Sequence, residues 1–135
     1  MRLCAHAEMA ELMAALTLCN APLADDMRAP ETGLVMARGR IGGDGAAFNV
    51  GETTVTRAAV TCEGISGFAY HLGRDSAKAR AAATIDALWQ SPSHRDAVEN
   101  AIAPIAHRLA TEGDARARRT AATRVNFFTM VRGED

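Results

Sequence analysis

Leu34-Val35-Met36-Ala37-Arg38-Gly39-Arg40-Ile41, followed by Gly42-Gly43-Asp44-Gly45, is the stretch that decides the fold. The first eight residues read as a strand, because Leu34, Met36, Arg38 and Arg40 share one face at a period of two. The glycine run reads as a tight turn. Beyond it, Phe48 to Val50 and Thr53 to Cys62 are rich in Thr and Val and predict strand, with Gly51 as a bulge or corner. Gly64 turns the chain again, and Ile65 to Leu72 predicts a further strand. Short strands joined by tight turns predict an antiparallel sheet. The fold class is therefore α+β, with a small antiparallel sheet of about four strands over residues 34–72.

Helices are expected on either side of this sheet and packed on it. His6 to Leu18 carries Met9, Leu12, Met13 and Leu16 at three- and four-residue steps, which predicts an amphipathic helix. Pro22 and Pro30 mark Leu23 to Thr32 as a connector. After the sheet, Asp75 or Ser76 is placed to cap a helix ending near Gln90, and its many alanines would let it lie close on the strands. A helix from His94 to about Ala103 and another from Ile105 to Thr123 follow, divided at Pro104. Val125 to Val131 has lost the helical pattern and reads as a strand or extended tail. One domain spans residues 1–135.

The apolar fraction of 48% overstates the core, because 29 of those residues are alanine. Val, Ile, Leu and Phe together number only 25 of 135. A core that thin is commonly completed by a partner. Charge is balanced at net −1, which argues against a protein that coats nucleic acid. Cys4, Cys19 and Cys62 have neither zinc nor disulfide spacing, and no two of the four histidines stand four apart, so no metal site is expected. Leu12 to Ala24 is uncharged, but Glu8 and Glu11 stand where a secretion signal needs positive charge. No run reaches the length of a membrane span. A cytoplasmic protein that touches no membrane is expected.

Three features could carry chemistry. Arg38, Arg40 and Arg57, on adjacent expected strands, could form a basic patch for phosphate or phosphonate, or serve as exposed or ion-paired strand arginines. Gly42, Gly43 and Gly45 could offer backbone amides to an anion, although no Walker lysine follows and a plain hairpin turn explains them as well. His71, at a strand end, fits a structural role better than a general base. Phe127, Phe128, Thr129, Met130 and Arg132 form an apolar C-terminal piece that either returns to the core or docks on another subunit.

Glu31-Thr32-Gly33-Leu34-Val35, Gly39-x-Ile41-Gly42-Gly43-x-Gly45-x-x-Phe48-Asn49-x-Gly51-Glu52-x-Thr54-Val55-Thr56-Arg57-Ala58, Gly73-Arg74-Asp75 and Thr123-Arg124-Val125-Asn126-Phe127-Phe128-Thr129-Met130-Val131-Arg132-Gly133 resemble the PhnG family. This is the G subunit of the bacterial carbon–phosphorus lyase core complex. The resemblance runs from about Ala7 to the C-terminus, and family members commonly carry a further short stretch before the first helix. It implies partnership with the H, I and J subunits, joined by the L protein in the first step. In that step an alkylphosphonate displaces adenine from ATP (or GTP) to give ribose 1-alkylphosphonate 5-triphosphate. The iron–sulfur cluster and S-adenosylmethionine of the later carbon–phosphorus cleavage belong to a partner, and no cofactor is expected on this chain. The resemblance implies an accessory, scaffolding subunit of a transferase, unlikely to act alone and open to self-association when isolated. The alternative is a self-contained nucleotide- or phosphate-binding protein using Arg38, Arg40 and Arg57.

Overall fold

The computed structural model describes residues 1–41 and 44–124. Seven elements follow in order: α1 (Arg2–His6), α2 (Met9–Leu18), β1 (Asp25–Arg40), β2 (Ala47–Cys62), β3 (Ile65–Leu72), α3 (Ser76–Gln90) and α4 (Arg95–Ala122). The three strands form an antiparallel sheet in the order β1-β2-β3.

The α+β class stands, with three strands where about four were expected. Phe48–Val50 and Thr53–Cys62 are one strand, because β2 runs through Gly51 with a single irregularity opposite the Ala37–Arg38 step. The supposed connector before Gly33 is the first half of β1. Pro30 is tolerated there because β1 lies at the sheet edge, and register shifts on both sides of Arg28 absorb the misfit. The division at Pro104 is absent too. Pro104 and Asn100 lie on the solvent side of one continuous helix, so the carbonyl that loses its amide partner faces water.

Side-chain size decides how α3 meets the sheet. Asp75 caps the helix, its Oδ1 accepting from the Lys78 N–H at 2.9 Å. Ala79, Ala82, Ala83 and Ala87 are buried, and the sheet answers with Ala58, Gly67 and Ala69. A Cβ on Gly67 would stand 2.5 Å from the Ala87 nitrogen and 2.8 Å from its Cβ, and closer still to the Ala83 carbonyl oxygen. Only glycine admits the helix backbone at this distance. The core beneath is small. Half of the buried apolar residues are alanine, and Leu12, Leu88, Val60 and Val98 are its largest fully buried apolar members.

The remaining helices close over α3. Glu11 on α2 grips Arg108 on α4 through two bonds, Nε to Oε1 at 2.7 Å and Nη2 to Oε2 at 2.6 Å. The Arg108 bonds hold the Glu11 carboxyl below its usual range, helped by the Glu8 backbone N–H. Beyond Thr111 nearly every residue of α4 is exposed, including Arg116, Arg118 and Arg119.

Candidate functional site: an outward apolar surface and a projecting hairpin

With α3 taking the small side of the sheet, the large side faces out. In β3 the alternation puts Gly67, Ala69 and His71 inward and Phe68, Tyr70 and Leu72 outward, each of the last three more than half exposed. With Met27, Arg57 and Ala59 from the other strands, Phe68 and Tyr70 line an open hollow of about 650 Å³. Among the described residues fourteen large apolar side chains are exposed, against seven valines, leucines and isoleucines that are buried. Single exposed apolar residues are ordinary, and the fourteen are spread over helices and strands, but Met27, Phe68 and Tyr70 gather around one hollow, the kind of cluster that suits an interaction surface.

The second surface is the far half of the β1–β2 hairpin. β3 pairs with β2 only from Val55 to Cys62, so Leu34–Arg40 and Ala47–Thr54 project as a two-stranded ribbon. Leu34, Met36, Phe48 and Val50 on this ribbon are exposed. A ribbon of two strands is marginal in water without further packing.

The described residues include Arg38, Arg40, Arg57, Gly45 and His71 among those singled out in the sequence. Arg38 and Arg40 stand together on the ribbon, where Arg38 makes no ion pair among the described residues and Arg40 Nη1 donates to the Gly45 carbonyl at 2.9 Å. Arg57 is not with them. It pairs with Glu31, which also accepts from Arg28 Nη1 at 3.1 Å. The Arg28 and Arg57 guanidiniums together hold the Glu31 carboxyl below its usual range. Arg38 pairs across the ladder with Asn49, eight positions along β2 from Arg57, or about 25 Å of strand. Arg57 also lies on the opposite face. Alternation along a strand is visible in sequence, but register between strands is not, and an antiparallel hairpin sends these ends apart.

Gly45 spends its amide inside the turn, donating to the Ile41 carbonyl at 3.1 Å, and a Cβ there would meet that oxygen at 2.7 Å. Gly42 and Gly43 lie outside the described residues, as do Phe127, Phe128, Thr129, Met130 and Arg132. His71 is buried with Nδ1 2.8 Å from the Leu72 carbonyl and Nε2 3.0 Å from that of Asp75, so it pins the turn into α3. His94 pairs with Glu63 at 3.2 Å. Burial pushes all three cysteine thiols above their usual range. Among the described residues no group of three or more His, Cys, Asp or Glu could hold a metal ion, and no helix is long and apolar enough to cross a membrane.

The outward face of Phe68 and Tyr70 escaped the sequence reading. Its signal was present in the alternation of ISGFAYHL, where small and large residues sort to opposite faces.

A small core, an exposed aromatic sheet face and a two-stranded ribbon define the class: a small α+β domain that turns large apolar side chains outward. The chain belongs to the family described as phosphonate metabolism protein PhnG, whose model matches residues 1–133. It is 52% identical over 137 aligned positions to the alpha-D-ribose 1-methylphosphonate 5-triphosphate synthase subunit PhnG of Rhizobium meliloti (strain 1021), covering all of this chain and 88% of that relative.

Proposed function

We propose that this chain is a scaffolding subunit of an alpha-D-ribose 1-methylphosphonate 5-triphosphate synthase, the complex in which an alkylphosphonate displaces adenine from ATP. One observation carries the reading. A chain similar from end to end to a subunit of that synthase turns more large apolar side chains outward than inward. In this role the chain works with the H, I and J subunits and the L protein in the cytoplasm, and the nucleotide and redox chemistry sits on its partners.

The titratable groups suit a structural part. His71 binds backbone carbonyls, Glu11 and Glu31 are held by arginines, and the thiols are buried and protonated. None is left as a free base facing an enclosed cleft among the described residues. The arginines do not converge, so a self-contained triphosphate site has little to stand on.

The test is reconstitution. Adenine release from ATP and methylphosphonate is measured with the other synthase subunits, with and without this chain. Activity is expected only with it. Full activity without the chain, or saturable stoichiometric ATP binding by the isolated chain in calorimetry, would overturn the proposal.

A further inference from the structure

We propose that the edge of β1 between Thr32 and Ala37, free among the described residues, takes up an extended strand from another subunit of the synthase. The incoming strand would carry apolar side chains opposite Leu34 and Met36 and acidic ones beside Arg38 and Arg40. The inference rests on the subunit reading above and adds which backbone atoms make the joint.

The ladder itself shows which groups are free. Gly73 donates its N–H to the Thr54 carbonyl at 3.0 Å, so that carbonyl points to the β3 side of β2. In an antiparallel ladder the N–H and C=O of one residue point the same way. Thr54 and its partner Leu34 are therefore a non-hydrogen-bonded pair, and Leu34 turns both backbone groups outward. Thr32 and Met36, two positions to either side, do the same. The close approach of Thr32 Oγ1 to Thr56 Oγ1, 3.0 Å, is what such a pair produces.

Exposed edges are normally blunted by bulges, proline or charge. The first half of β1 has these guards: Asp25, Asp26, Pro30 and register shifts on both sides of Arg28. From Thr32 to Ala37 there is none. The run is regular and uncharged, with Leu34 and Met36 more than half exposed. The free edge of β2 on the same ribbon is broken at Val50 and is the poorer template.

Charge distinguishes a different chain from a second copy. Two β1 edges can pair antiparallel only with outward residues opposite outward residues, which are the even-numbered ones here. No such register sets Arg38 or Arg40 against an acid, since even positions from Thr32 to Arg40 hold none and Pro30 precedes them. A foreign strand with acidic residues at alternate positions answers both arginines.

The experiment is amide hydrogen exchange on the full chain, alone and in complex with the co-expressed remaining synthase subunits. The Leu34 and Met36 amides are expected to exchange freely alone and to slow by about 100-fold or more in the complex. Met36→Pro removes one outward N–H at a site where an edge strand tolerates proline. It is expected to weaken assembly about tenfold or more, while Met36→Thr keeps it within about threefold. Should the proline variant not fold, Arg38→Glu is expected to weaken assembly about tenfold. A complex that forms with both amides still fast, or with Arg38→Glu at wild-type affinity, overturns the edge proposal and leaves the subunit reading intact. Protection already present in a self-paired isolated chain overturns it in favour of a second copy. Absence of any complex removes the subunit reading and this inference together.

Discussion

Gly67→Ala tests whether helix contact, rather than chance, keeps the inner side of the sheet small. The new Cβ would stand 2.5 Å from the Ala87 nitrogen, where ordinary contact begins near 3.4 Å. The helix backbone must then recede by about 0.9 Å there, and further at the Ala83 carbonyl. Both obstacles are main-chain atoms of α3, so no side chain can swing aside. A gap of 0.5–1 Å along a packed seam forfeits roughly a quarter to a half of its dispersion energy. That seam includes Ala79, Ala82, Ala83 and Leu88, all buried. Overpacking alone costs about 1–3 kcal/mol, and the opened seam takes the expected loss to about 3 kcal/mol or more. For a domain of this size that is a fall in Tm of about 10 °C. Urea unfolding followed by circular dichroism reads it directly. Gly33→Ala is the control, since nothing lies within 4 Å of its added Cβ, and a change within about 0.5 kcal/mol is expected there. A Gly67→Ala protein as stable as Gly33→Ala would refute the reasoning about the α3–sheet contact.

Three further outcomes are expected. Replacing Phe68 and Tyr70 together by serine should change unfolding free energy by less than about 1 kcal/mol, because both side chains are more than half exposed; the same double variant should lower affinity for the other synthase subunits, and a stability loss above about 2 kcal/mol would show the face to be packed already. In native protein at pH 8 the thiols of Cys4, Cys19 and Cys62 should resist a bulky disulfide reagent and react fully after denaturation, since burial keeps them protonated. Glu11 titrates lower in the folded chain than its usual 4.5, so its contribution is present above that value and lost as pH falls through and below it. Glu11→Gln should therefore be less stable than wild type at neutral pH, with the difference closing on acidification; parallel stability curves from pH 7 to pH 3 would contradict the Glu11–Arg108 link.

The parts of the fold that depend on local chemistry were legible in the sequence. The Asp75 cap and the alanines behind it place α3, and the glycine turn with alternating strands around it places the hairpin. What was not legible depended on position in the whole. Pro30 reads as a breaker until β1 is known to be an edge, and Pro104 until its side of α4 is known to face water. Arg57 looks adjacent to Arg38 and Arg40 because a sequence reports side-chain alternation within a strand but not the pairing between strands. Phe68 and Tyr70 invert the usual expectation that the larger side of a strand goes inward. Here a close-packed helix claims the smaller side, and the aromatic side is left exposed.

The most direct measurement is the mass in solution, by light scattering, of the purified full chain alone and then mixed with the remaining synthase subunits. A tight, stoichiometric complex that contains this chain is the expected result. A well-behaved monomer whose mass is unchanged by those subunits would contradict the central claim, that the outward apolar surface exists to be covered by them.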